Sequence, residues 1–193
     1  RDAASAGLRR RHRVMTGYAT VMLDLSQSVP ALRAGLQRNW RNRLVSAEAS
    51  SLRVERVGNK PAQYQWLLGR DEAQRKVRGY KGLPLDFIPA FQAARGAGSA
   101  MLTLRADLGR ETVGGMLFLR HGTAATYYVG WSDAATRLPG AHNLLLWNAM
   151  LALKEAGVRT LDLGGINTER SAGIARFKMG CGGQVAILAG TYL

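Results

Sequence analysis

Cysteine is nearly absent from this chain: of 193 residues, only Cys181 carries a thiol. A single cysteine closes no internal disulfide, so nothing in the sequence requires an oxidising compartment. Long apolar runs are missing too. None reaches the roughly 18 residues that a membrane-crossing helix needs, and the basic segment Arg1–Arg13 lacks the apolar core and cleavage site of a secretory leader. His12, His121 and His142 are scattered, and with one cysteine they form no metal-ligand spacing, so no metal is expected. Neither a Ser-centred nucleophile elbow nor a phosphate-binding P-loop occurs, and there is no internal repeat. Acidic residues are scarce, 13 against 27 Lys and Arg, which leaves a formal charge of +14. Such an excess favours polyanionic partners: nucleic acid, nucleotide phosphates or an anionic membrane surface. Spread thinly, the same arginines are a solvated coat. The protein is expected in the cytoplasm, either free there or at the inner face of the membrane. Because it begins at Arg1 rather than Met, the chain is expected to be a trimmed piece of a longer protein.

What is present reads as one globular domain. Hydrophobic residues make up 47% and charged residues 21%, a balance that suits a soluble core of this length. Residues 1–15, with the cluster Arg9–Arg13, read as a basic linker, and 16–193 as the domain. Thr16–Leu25 is a β-prone apolar strand. Ser26, Ser28 and Pro30 then start a helix expected to run to Ala49, with Leu32, Leu36, Trp40 and Leu44 along one face. Leu52–Val57 alternates as a strand, and helices follow Pro61 (to Arg78) and Pro84 (to Gly96). Ala100–Ala106, Thr112–Arg120 and Thr123–Gly130 read as an antiparallel meander. His142–Ala156 is apolar nearly all round, so it belongs against a sheet, with His142 expected to cap it. Val158–Leu163 is a strand, Gly164–Gly165 a sharp turn, Ala172–Met179 a short helix and Gln184–Tyr192 a last strand. The order predicts an α/β fold: a mixed, mostly antiparallel sheet with helices on both faces.

Three segments carry candidate chemistry. In Asn39–Trp40–Arg41–Asn42–Arg43–Leu44, arginines two apart on a helix diverge, while Arg41 with Arg38, or Arg43 with Asn39, share a face. Trp40 buried above solvated arginines is the plainer reading. In Leu161–Asp162–Leu163–Gly164–Gly165–Ile166–Asn167, an acid at a strand end precedes paired glycines, where open sheets bind ligands. Asp162 there either takes a proton from an attacking amine or hydrogen-bonds the turn amides. In Arg176–Phe177–Lys178–Met179–Gly180, Lys178 is placed to neutralise a phosphate or an oxyanion, and Phe177 to stack on a base or sugar. The alternative is a core Phe177 and a lysine at an exposed helix end. Cys181 is expected to be a small buried hydrophobe, not a nucleophile.

Taken in order, Thr20–Leu25, Asn39–Trp40–Arg41–Asn42, Leu161–Asp162–Leu163–Gly164–Gly165, Arg176–Phe177–Lys178 and Gly182–Gly183 resemble the Fem-type peptidoglycan aminoacyl transferases and their GNAT-like relatives, over roughly residues 16–192. The similarity is to the C-terminal GNAT-like half of those two-domain enzymes, which move an amino acid from aminoacyl-tRNA onto a peptidoglycan precursor. It implies a GNAT-like acyltransferase fold in which Lys178 resembles the lysine that supports phosphate binding or transition-state charge, with Phe177 beside it. Together with the reading of the segments, the expected catalytic residues are Lys178 and Asp162, and the expected binding residues are Phe177, Gly164, Gly165, Asn167, Arg41 and Arg38. No cofactor is implied, because aminoacyl-tRNA or acyl-CoA enters as donor substrate. The implied partners are tRNA, a nucleotide-linked cell-wall precursor and a missing N-terminal GNAT-like half. Ordinary acetyl-CoA enzymes of this fold open the central helix with a Gly-rich loop. Here Arg137–Leu138–Pro139–Gly140–Ala141–His142 keeps one of those glycines, and Pro139 lacks an amide donor. An acyl-CoA-dependent N-acetyltransferase of envelope polysaccharide assembly is one alternative. A non-catalytic RNA- or envelope-binding module is the other.

Overall fold

The computed structural model describes residues 12–15, 17–79, 82, 84, 86–95, 100–133, 140–169 and 171–192. Seven strands form the main sheet: β2 (Ala19–Asp24), β3 (Leu52–Val57), β4 (Met101–Leu108), β5 (Glu111–His121), β6 (Ala124–Ser132), β7 (Thr160–Gly165) and β8 (Gln184–Ile187). Their spatial order is β3-β4-β5-β6-β7-β2-β8. Every neighbouring pair is antiparallel except β6 and β7, which run parallel. That one parallel pair needs a long crossover, supplied by α5 (Ala141–Glu155). The remaining helices are α1 (Val29–Ala34), α2 (Arg38–Glu48), α3 (Pro61–Arg78), α4 (Phe87–Arg95) and α6 (Ala172–Gly180).

Strand alternation sends side chains to two separate cores. Leu102, Leu104, Ala106 and Phe118 point to one face, where Leu32, Leu36, Trp40 and Leu44 of α1–α2 meet Leu145, Leu146 and Met150 of α5. Met101, Leu117 and Leu119 point the other way, under Tyr64, Leu67 and Leu68 of α3 and Ile88 of α4. The period of two is the whole reason one strand can serve both faces. The expected α/β architecture, a mostly antiparallel sheet covered on both sides, is what the chain forms.

Several local expectations are corrected. The helix expected from Pro30 to Ala49 is two helices. It breaks after Gly35, where Gln37 is extended (ψ 148°) and its N–H bonds the Gly180 carbonyl at 2.9 Å. Glycine in the periodic run weakens the helix there, and the Arg41 guanidinium holds the freed carbonyls of Ala34 and Leu36 at 2.8 and 2.9 Å. All four apolar residues of the run remain buried. The last strand is likewise two: β8 edges the main sheet, whereas β9 (Thr191–Tyr192) pairs with β1 (Arg13–Met15) in a separate ribbon. Arg13, read as part of a loose end, therefore lies in a strand, and Arg9, Arg10, Arg11 and Thr16 lie outside the described residues. His142 does not cap α5. Gly140 does, at φ +103°, where a Cβ would meet the Arg43 carbonyl at 2.4 Å, so only glycine fits. Arg137, Leu138 and Pro139 of the loop before it lie outside the described residues.

Candidate active site

The parallel pair is short. β6 and β7 are in register over Ala124–Thr126 and Thr160–Asp162, and then the ladder ends. Each strand is irregular just beyond that point. In β6 the register with β5 slips between Leu117 and Phe118, which face Val129 and Tyr127, so Tyr128 is an extra residue. In β7 the register with β2 slips between Thr20 and Met22, which face Gly165 and Asp162, with Gly164 at φ +72°. Gly164–Gly165 is therefore a bulge within a strand and not the sharp turn expected from the glycine pair. Bulges bend a strand and increase its twist. Two at the same level, on adjacent strands, part them. The result is a cleft of about 1130 Å³ through the sheet, walled by β6, β7, α3, the first turn of α5, and α6.

Lys178 stands in this opening. Expected at an exposed helix end, it is in fact 8% exposed, because α6 lays it against the bulge. Its Nζ donates to the Gly165 carbonyl at 2.9 Å and lies 5.6 Å from the Tyr127 ring centre. Burial lowers its pKa to about 8, while Asp162 and Cys181 pull the other way. An ammonium so poised keeps donors for a negative oxygen and gives up its proton more readily than a free lysine. Asp162 sits behind the bulge: its Oδ1 accepts from the Gly164 N–H at 2.7 Å and from the Thr20 hydroxyl. Tyr18 lies across Gly165, whose N–H meets its phenol oxygen, and burial foremost, then Asp162, raise its pKa. Phe177 stacks on Trp40 at 6.0 Å, and Trp40 Nε1 donates to the Phe177 carbonyl at 3.1 Å. Cys181 is buried, its thiol bonded to the Lys178 carbonyl and its pKa pushed up to about 12 by burial, which leaves it inert.

The opposite wall comes from α3. Asp71 is buried and ion-paired with Arg75, which also reaches Tyr128. Burial raises the Asp71 pKa, and Arg75 opposes the rise. Arg43 and Arg78 also line the cleft. Of the residues singled out in the sequence, Lys178, Phe177, Gly165 and Asn167 meet here, with Gly164 and Asp162 immediately behind. Arg38 and Arg41 do not line the cleft. Arg41 staples the α1–α2 break, and it is their neighbour Arg43 that faces inward. Sequence reasoning missed Tyr18, Tyr127, Tyr128 and the Asp71–Arg75 pair. One signal for the pair existed: Asp71 continues the buried face of α3 marked by Tyr64, Leu67 and Leu68, where an acid needs a partner.

The frame of the site is thus a seven-stranded mixed sheet, split at its one parallel pair, with a buried lysine in the split. The chain belongs to the acetyltransferase (GNAT) domain family, whose model matches residues 33–179. Among solved structures it is similar to FemX, with a TM-score of 0.71 at 14% identity over 90% of this chain and 60% of that one. It is also similar to the C-terminal domain of a protein described as a lysylphosphatidylglycerol synthetase from Agrobacterium fabrum. There the TM-score is 0.58 at 16% identity, over 92% of this chain and 54% of that one. At these identities the likeness is one of fold. The chain spans less than two thirds of either structure. No curated protein matches it in sequence.

Proposed function

We propose that this domain forms an amide by moving an aminoacyl group from aminoacyl-tRNA to the amine of a peptidoglycan precursor, as Fem-type enzymes do. The observation that carries the reading is Lys178, buried in the split of the sheet with its Nζ held at the Gly165 carbonyl. The amine attacks the ester carbonyl, and the new C–N bond forms as charge builds on the carbonyl oxygen. Lys178 Nζ steadies that charge. The ester C–O bond then breaks and the departing ribose oxygen takes up a proton. Asp162, acting directly or through water, receives the proton that the amine loses. Phe177 lines the cleft beside Lys178 as a surface for the terminal base, and Arg43 and Arg78 give the cleft a cationic wall suited to phosphates.

Two features support a tRNA donor and an envelope acceptor: the +14 charge and the FemX-like fold. Among the described residues no helix is long and apolar enough to cross a membrane, and we place the reaction in the cytoplasm at the membrane's inner face. On this reading a second GNAT-like half, as in the Fem-type enzymes, supplies much of the acceptor's binding. The family's acetyltransferase description favours acetyl-CoA as the competing donor.

The test is stabilisation of the purified protein by alanyl-tRNA, uncharged tRNA and acetyl-CoA in turn. Transfer of labelled alanine to UDP-N-acetylmuramoyl-pentapeptide follows. Alanyl-tRNA is expected to stabilise the fold, with affinity falling steeply as salt rises. Lys178→Ala is expected to cut transfer about 100- to 1000-fold, the usual loss of an oxyanion donor. Stabilisation by acetyl-CoA alone makes the donor an acyl-CoA. Binding of tRNA without transfer to any amine makes the domain a non-catalytic module.

A further inference from the structure

Gly164 and Gly165 keep the bulge in β7 free of side chains for two different reasons. Gly164 needs glycine for its backbone, at φ +72°. Gly165 is not among the glycines of positive φ, so its backbone suits other residues too. What forbids a side chain there is Tyr18. A Cβ at Gly165 would meet the phenol oxygen and Cε2 of Tyr18 at 2.9 Å, and its Cζ at 3.1 Å. The tyrosine ring thus occupies the place that a side chain at 165 would take.

Packing does not account for that ring. Tyr18 is 53% exposed and belongs to neither apolar core, so it contributes little to burial, yet its backbone is fixed. Its carbonyl accepts from the Leu188 N–H at 2.9 Å, and the carbonyl of Ala19 beside it accepts from the Ile166 N–H at 3.0 Å. Tyr18 also lines the cleft, so its phenol is open to a bound molecule.

The phenol shares its space with Lys178. The point that a Cβ of Gly164 would occupy lies 3.7 Å from Lys178 Nζ and 3.8 Å from the Tyr18 phenol oxygen. An O–H and an N–H donor therefore converge on one open position over the bulge. Both distances are longer than a formed hydrogen bond. Catalytic contacts commonly stand so before the substrate arrives and tighten once it is bound. Burial foremost, then the charge of Asp162, raises the phenol's pKa, which keeps its proton in place for donation.

We propose that Tyr18 is a further catalytic residue, whose phenol O–H donates together with the Lys178 ammonium to the carbonyl oxygen of the acyl group under attack. The inference rests on the cleft being the acyl-transfer site. It holds for an ester and a thioester alike, because charge gathers on the same oxygen in both. The phenol keeps its proton throughout. Its hydrogen bond shortens as the C–N bond forms and relaxes as the leaving group departs, while the proton lost by the amine goes to Asp162.

Labelled alanine is followed from alanyl-tRNA to UDP-N-acetylmuramoyl-pentapeptide, and labelled acetyl from acetyl-CoA to the same acceptor. In each arm that transfers, kcat and KM are measured. Tyr18→Phe removes one exposed oxygen and is expected to melt with the wild type. Its kcat should fall about 10- to 100-fold, approaching the loss of a full oxyanion donor, with KM unchanged. Gly165→Ala drives the ring off the bulge and should lower kcat as far. The two changes combined should lose no more than either alone, because both remove the same contact. A Tyr18→Phe variant with wild-type kcat overturns the inference and leaves acyl transfer standing. A loss carried by KM alone, or additive losses in the double variant, overturn it too. The expected kcat loss with transfer from acetyl-CoA only upholds it and defeats the tRNA-donor reading. Transfer in neither arm defeats both.

Discussion

The two faces of the sheet are built by the same alternation and filled in different ways. Under α1, α2 and α5 the core is almost entirely hydrocarbon, from Leu32 through Leu145 to Leu163. Under α3 and α4 the apolar cluster is smaller, and at its margin α3 turns the buried Asp71–Arg75 pair toward Tyr128. The sheet keeps these two interiors apart everywhere except at the split between β6 and β7. There, polar groups from both sides meet: Arg75 and Tyr128 from one, Lys178 from the other. The lesson is that the polar chemistry of this fold is concentrated where strand pairing fails, and that hydrocarbon fills the places where it holds.

The comparison breaks most sharply at the ion pair. Asp71→Ala leaves Arg75 without its carboxylate in a nearly dry setting and should cost about 3–5 kcal/mol in urea unfolding. Replacing both partners, as Asp71→Leu with Arg75→Met, should return the protein to near wild-type stability, because it makes the second face resemble the first. A double variant as unstable as the single would show that the pair is more than a margin.

Next come the cores. Leu146→Ala under α5 and Leu117→Ala under α3 remove fully buried side chains on opposite faces, and each should cost about 2–5 kcal/mol. The Leu117 variant should fall lower in that range if the smaller cluster collapses more readily. Equal losses would remove the distinction between the two interiors.

The effect of pH is smaller and belongs to the split itself. Folding lowers the Lys178 pKa from 10.5 to about 8, so between these values the unfolded chain binds the extra proton. Stability therefore rises with pH across that window, by about 2 kcal/mol between pH 8 and 10. Lys178→Met should flatten this rise while leaving the rest of the pH profile in place, as read from urea midpoints.

The smallest effects are on the arginine face. Arg41→Gln loses two carbonyl contacts at the α1–α2 break and should cost about 1 kcal/mol. Arg38→Gln, on the exposed side of α2, should stay within about 0.5 kcal/mol. Equal costs would mean that the staple does nothing for the break.

Periodicity determined most of the strands and helices of this protein, and the buried apolar faces of several. Leu32, Leu36, Trp40 and Leu44 are inside despite the break at Gly35, because burial depends on spacing more than on helix continuity. The order of elements likewise determined a mostly antiparallel sheet with one crossover, and the motif around Phe177 and Lys178 marked the cleft. The tertiary structure decided what the cleft is. A bulge is a register mismatch between two strands, and one strand's sequence does not contain it. The parting of β6 and β7, the burial of Lys178 against Gly165, the inward turn of Arg43 in place of Arg38 and Arg41, and the meeting of Tyr18, Tyr128 and His142 in one cleft all depend on segments distant in the chain. Only their packing brings those side chains within reach of one another.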